Sequence, residues 1–189
     1  LFQWSNDSIT FEHADIYPLS SWIICLFPSE TVEKDARMIV KLSPFSVNVC
    51  IVDEAHTLQE SYLVAKRRLQ QRFYEGFGHV LHASKQVQLS TFDPLLTPTQ
   101  QQSLLNSLES LNIDAFQQIL QPLRNHYFEI EDVRVHLTSI LAQIRRFMLS
   151  YNLEKNKSLE ENYQHLYRII IEHPILFKIL EEITLFTSA

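Results

Sequence analysis

Apolar residues fall into two textures along this chain. Up to about Ser90 they come in short runs separated by polar stretches: ITF, then WIICLFP, a helix candidate in ETVEKDARMIVKL, FSVNVCIV, a long helical segment from Thr57, and GHVLHA. Runs of this length with branched and aromatic residues predict strands, and alternation with helical segments predicts a small α/β half. The stretch STFDPLLTPT, with Pro94 and Pro98, breaks the pattern, and beyond it the apolar positions recur every three or four residues. The expected architecture is therefore α+β, with a small α/β subdomain over 1–92 and an all-helical subdomain over 93–189.

The helical part predicts its own boundaries. Thr97, Pro98 and Gln100 form a capping signature, followed by a stripe of Leu104, Leu105, Leu108 and Leu111. Ile113, Phe116, Ile119, Leu120 and Leu123 mark a second helix, bent near Pro122 because proline lacks the backbone donor. Val133, Leu137, Ile140, Leu141, Ile144, Phe147, Met148 and Tyr151 cover a face wide enough for the centre of a bundle. Ser158 with Glu161 predicts a capped start for a helix carrying Tyr163, Leu166, Tyr167 and Ile170. His173-Pro174 ends it, and Ile175, Leu176, Ile179, Leu180, Ile183 and Phe186 form a last amphipathic helix.

Composition narrows the function. With 22 acidic residues against 16 Lys plus Arg, the chain lacks the basic surface that a phosphate backbone attracts, so direct nucleic-acid binding is not expected. No apolar run is long enough to cross a bilayer and the start LFQWSNDS has no signal-peptide pattern, so a cytoplasmic setting is expected. Cys25 and Cys50 sit in apolar runs and read as buried thiols. His79 and His82 are spaced for opposite faces of a strand, which argues against a metal site.

The stretch VCIVDEAHTLQE raises the sharpest chemical question. In DEAH-type ATPases the first carboxylate holds Mg²⁺ and the second activates the attacking water, at the end of a parallel strand. Asp53 and Glu54 occupy that local position, ahead of Ala55 and His56. The chemistry also needs a glycine-rich, lysine-bearing phosphate loop upstream, and residues 1–48 contain no glycine; Gly76 and Gly78 are the only two in the chain. A structural account covers the same letters, because Thr57 and Glu60 make a capping box and acidic residues favour a helix start. Leu58, Tyr62, Ala65, Leu69 and Phe73 then share one face, with Lys66, Arg67, Arg68 and Arg72 largely on the others, and Gly76 closes the helix.

The run ESYLVAKRRLQQRFYEGFGHVLHA resembles the central region of AraC-type two-component response regulators, through Ser61-Tyr62, Ala65, Arg72-Phe73 and Gly76. WIICLFP, LLNSLESLNIDAFQQIL and HPILFKILEEITLF extend the resemblance over most of the chain. It implies that the α/β half is a reduced, degenerate relative of diguanylate cyclase (GGDEF-like) domains without their loop. It also implies a non-catalytic middle region relaying the state of a receiver domain to helix-turn-helix DNA-binding domains, neither of which is present here. On that reading no residue is catalytic, no cofactor or metal is bound, and Leu176, Ile179, Leu180 and Ile183 form a docking or homodimer face. A piece of a DEAH-type helicase or ATPase is the alternative, completed by polypeptide outside this chain, and a small-molecule sensor is a third reading.

Overall fold

The computed structural model describes residues 15–19, 22–26, 29–43, 46–52, 57–85 and 87–188. They form a mixed α+β protein, mostly helical with few strands, that divides into two compact units, 1–86 and 87–189.

In the first unit, β1 (Asp15–Leu19) pairs antiparallel with β2 (Trp22–Leu26). Strand β1 escaped the sequence reading because Asp15 and Pro18 interrupt its apolar pattern, while the expected strand ITF lies outside the described residues. Helix α1 (Val32–Leu42) follows and is tied internally by the Arg37–Glu33 ion pair at 2.7 Å. Next come β3 (Val49–Ile51), α2 (Leu58–Gln70), the single turn α3 (Arg72–Glu75) and β4 (Val80–His82). Strands β3 and β4 pair in parallel, Val49 opposite Val80 and Ile51 opposite His82, with α2 and α3 in the crossover.

The side chain of Asn48 sets that register. Its amide nitrogen donates to the Gly76 carbonyl at 2.7 Å, and its oxygen accepts the His79 N–H at 3.0 Å, extending a three-residue ladder by one side chain. Gly76 and Gly78 adopt φ of 82° and 88°, the left-handed region that glycine enters without steric cost.

The expected continuous helix from Thr57 to Gly76 breaks at Gln71, whose conformation ends α2 and starts α3. Phe73 is 2% exposed and anchors the crossover, but Leu58 is exposed and Tyr62, Ala65 and Leu69 are half-buried. The predicted packing face therefore holds at its C-terminal end and fails in its first turn. The cap itself forms: Thr57 Oγ1 accepts the Glu60 N–H at 3.1 Å and donates to the Glu60 carboxylate at 3.0 Å.

The second unit is a helical bundle of α4 (Pro98–Glu109), α5 (Ile113–Asn125), α6 (Ile130–Ser150), α7 (Lys157–Glu172) and α8 (Leu176–Ser188). Thr97 and Gln100 complete a reciprocal capping box with Pro98 in the first helical position, as the sequence predicts. Helix α6 supplies the centre, burying Val133, Leu137, Ile140, Leu141, Ile144 and Met148. Helix α5 runs through Pro122 to Asn125, with the proline on the exposed side.

Two boundaries differ from the sequence pattern. Leu111 does not continue the α4 stripe: it takes φ 52° and is 80% exposed. Its N–H bonds to the Leu108 carbonyl and the next N–H, that of Asn112, bonds to the Ser107 carbonyl. This is a Schellman turn with leucine in the position glycine usually takes. Helix α7 starts earlier than the Ser158–Glu161 signature implies, because Asn156 is the cap, accepting the N–H groups of Ser158 and Leu159. Left-handed Asn152 and the short turn over Leu153–Lys155 bring Asn156 to that place.

Candidate functional site

Parallel strands gather chemistry at their carboxyl ends, where loops leave the sheet and adjoining helices begin. In the β3–β4 pair Ile51 and His82 are the last paired residues, so both strands end at the same edge. Asp53 and Glu54 follow Val52 directly; Asp53 to His56 lie outside the described residues.

What is described around that edge is polar and connected. His82 Nε2 lies 3.3 Å from a Glu33 carboxylate oxygen, and the other oxygen of Glu33 takes the Arg37 guanidinium. Arg68 donates to the His82 carbonyl at 3.3 Å and to Glu75 at 3.2 Å, with side chains 11% and 21% exposed. One buried guanidinium thus ties α2, α3 and the end of β4 together. A charge this withdrawn from water is stable only with such partners. Helical spacing alone places Arg68 with Lys66 and Arg67 on a solvated face. Lys66 and Arg67 are indeed exposed, but Arg68 stands one turn beyond Ala65 on the packed side. A charged residue in phase with an apolar stripe was the available signal.

The glycines serve the turn rather than a phosphate cradle. The Gly78 N–H donates to the Val47 carbonyl at 3.1 Å and the Gly76 N–H to Arg72 at 2.8 Å, so both donors are spent on backbone partners. Among the described residues no cluster of His, Cys, Asp and Glu has the makeup of a metal site, and no helix is long and apolar enough to cross a membrane. Burial of Cys25 pushes its thiol pKa up, away from reactivity.

In the bundle, Leu176, Ile179, Leu180 and Ile183 are all 3% exposed or less. Helix α8 packs against α5 and α7, so this face is taken up inside the unit. The apolar side chains that α8 leaves in the open are Phe177 and Leu185. A cavity lined by Ser107, Leu108, Asn112, Phe116 and Thr187 has about 10 Å³, space for one water at most, and offers no small-molecule site.

Two polar anchors in α6 escaped the sequence reading. Arg134 donates to the Ile170 carbonyl and, at 2.9 Å, to that of His173, holding the end of α7; burial lowers its pKa, against the opposing effect of Glu131. His136 is buried and bonded to the Pro94 carbonyl. Both sit beside apolar positions of a central helix, where only the tertiary partner reveals their role. No protein-family model, no curated protein and no solved structure matches this chain.

Proposed function

We propose that the first unit carries the acidic strand–turn–helix element of a DEAH-type nucleotide hydrolase, with Asp53 as Mg²⁺ ligand and Glu54 as the group that activates water. The observation that supports this reading is the parallel β3–α2–β4 crossover. Strand β3 ends at the carboxyl edge of a parallel pair, and Asp53 and Glu54 follow it closely in sequence; such chemistry draws on residues that leave a strand at that edge. The cap at Thr57 and the chemistry at Asp53 and Glu54 use different residues, so formation of the cap does not compete with the motif. Mg²⁺ would supply charge stabilisation of the transferring phosphoryl group. On this proposal the phosphate-cradling half of the site comes from polypeptide outside residues 1–189, since both glycines here are committed to the turn before β4.

The relay between a receiver and helix-turn-helix domains, with a reduced GGDEF-like α/β half, is the reading that the resemblance implies. Of the residues that carry it, Phe73 is buried while Ser61, Tyr62, Ala65 and Arg72 are half-buried, a pattern common to helices packed on small sheets. It gains no separate support.

The test is Mg²⁺-dependent ATP hydrolysis by the full-length gene product. Glu54→Gln is expected to cut the rate by about 10²-fold or more, the usual worth of a positioned base, with the circular dichroism spectrum unchanged. Hydrolysis unaffected by Glu54→Gln, or none by the complete protein, defeats the proposal.

A further inference from the structure

The segment from Ser90 to Leu96 has no regular secondary structure, yet it is fastened onto the bundle. Leu96 at its end is 4% exposed, and the Leu96 carbonyl accepts the Gln101 side-chain amide at 2.9 Å. The Ser90 N–H donates to the Tyr127 carbonyl at 2.7 Å, and the Leu96 N–H reaches Ser139 Oγ on α6 at 3.5 Å. Phe92 packs on Phe128 at 4.4 Å between ring centroids and meets the His136 ring edge-on at 5.2 Å. The central fastening is His136 itself, 5% exposed, whose Nδ1 lies 3.1 Å from the Pro94 carbonyl. A carbonyl only accepts, so Nδ1 carries the proton and a second proton has to enter at Nε2.

We propose that His136 is a proton-operated latch: neutral, it holds the 90–96 segment on α6, and protonated, it releases that segment. The physical reason is the cost of charge beneath Phe92 and Pro94. Either the ring stays neutral, or the segment lifts so that water can reach it. Lifting the segment breaks the Ser90–Tyr127, Leu96–Ser139 and Gln101–Leu96 bonds and the Phe92 packing and uncovers Leu96, while the backbone of α6 stays in place.

Asp93 is the charged group acting on this ring. Its carboxylate is already engaged by the Leu95 N–H at 2.9 Å, which shapes the turn around Pro94. Burial lowers the imidazole pKa; the Pro94 bond and Asp93 oppose the effect without cancelling it. The closed state therefore binds fewer protons than the open one, in which the ring returns to about 6.5. Closure is complete above that pH and weakens as pH falls from there through the depressed value.

The experiment is hydrogen exchange of the full chain at about pH 7.5 and about pH 5, corrected for intrinsic rates, with residues 88–97 read against the core of α6. Protection of Ser90 and Leu96 is expected to drop at the lower pH by about tenfold for each unit of pKa depression, while Ile140 and Ile144 stay protected. His136→Gln, which keeps a donor for Pro94 and cannot titrate, should remove the response. An equal response in that variant, an unchanged segment in the wild type, or simultaneous loss of protection in α6 overturns the latch. Should the variant fail to fold, a proton titration of the wild-type ring by NMR decides: titration near the ordinary value with the segment still protected also overturns it.

Discussion

Ile179→Ala separates an internal face on α8 from an association face. Ile179 is fully buried, and its neighbours on that face, Leu176, Leu180 and Ile183, are buried with it against α5 and α7. Truncation removes three carbons from a packed interior, which costs the lost transfer energy plus a cavity term, about 2–5 kcal/mol in such sites. For a helical unit near 100 residues, each kcal/mol lowers the melting temperature by roughly 4–8 °C, so a fall of about 8–40 °C is expected. The assay is thermal unfolding followed by circular dichroism at several protein concentrations spanning two orders of magnitude. An internal face gives a large drop that does not vary with concentration in either protein. A wild-type midpoint that climbs with concentration, with that climb lost in Ile179→Ala, would refute the internal assignment and restore a homodimer through this face.

Thr97→Ala removes the hydroxyl that accepts the Gln100 N–H and is expected to cost about 0.5–2 kcal/mol in urea denaturation. Leu111→Gly should do the opposite: relief of a left-handed leucine, about 1–2 kcal/mol, exceeds the added freedom of the unfolded chain, about 0.4–1 kcal/mol, so the urea midpoint should rise slightly. A lower midpoint would mean that the 80% exposed side chain makes contacts its exposure does not suggest.

Legibility in the sequence followed the range of the interaction. The Thr97–Pro98–Gln100 start and the α6 core stripe are written in neighbouring residues and periodic positions; the start forms as read and the stripe is buried from Val133 to Met148 except for half-buried Phe147, while Tyr151 falls past the helix end and is exposed. The α7 start was misplaced because a left-handed Asn152 makes Asn156 the cap, and an equally good signature at Ser158 lay two residues on. The α4 stripe overran by one residue because a Schellman turn here uses leucine. His136 and Arg134 are legible only through partners 42 and 36 residues away, to which local periodicity is blind. The parallel partnership of β3 and β4, on which the candidate site depends, is of the same kind, since nothing within either three-residue strand names the other.

The Asn48 bridge also bears on the order in which the chain acquires structure. The residues it joins, Asn48 and His79, are 31 positions apart, and the bundle too combines successive packings, α4 on α5, α6 on α7 and α7 on α8, with the more distant α4 on α6 and α5 on α8. Contacts that are distant along the chain require loop closure before they return any stabilisation, and this slows their formation. During synthesis β3 emerges long before its partner, and neither its ladder nor its amide bridge can form until the Gly76–His82 stretch has left the ribosome. The ladder of the N-terminal unit therefore closes only after both strands and the whole crossover between them have been made. For that interval the apolar strand Val49–Ile51 lacks its β4 neighbour and presents an open edge to other chains.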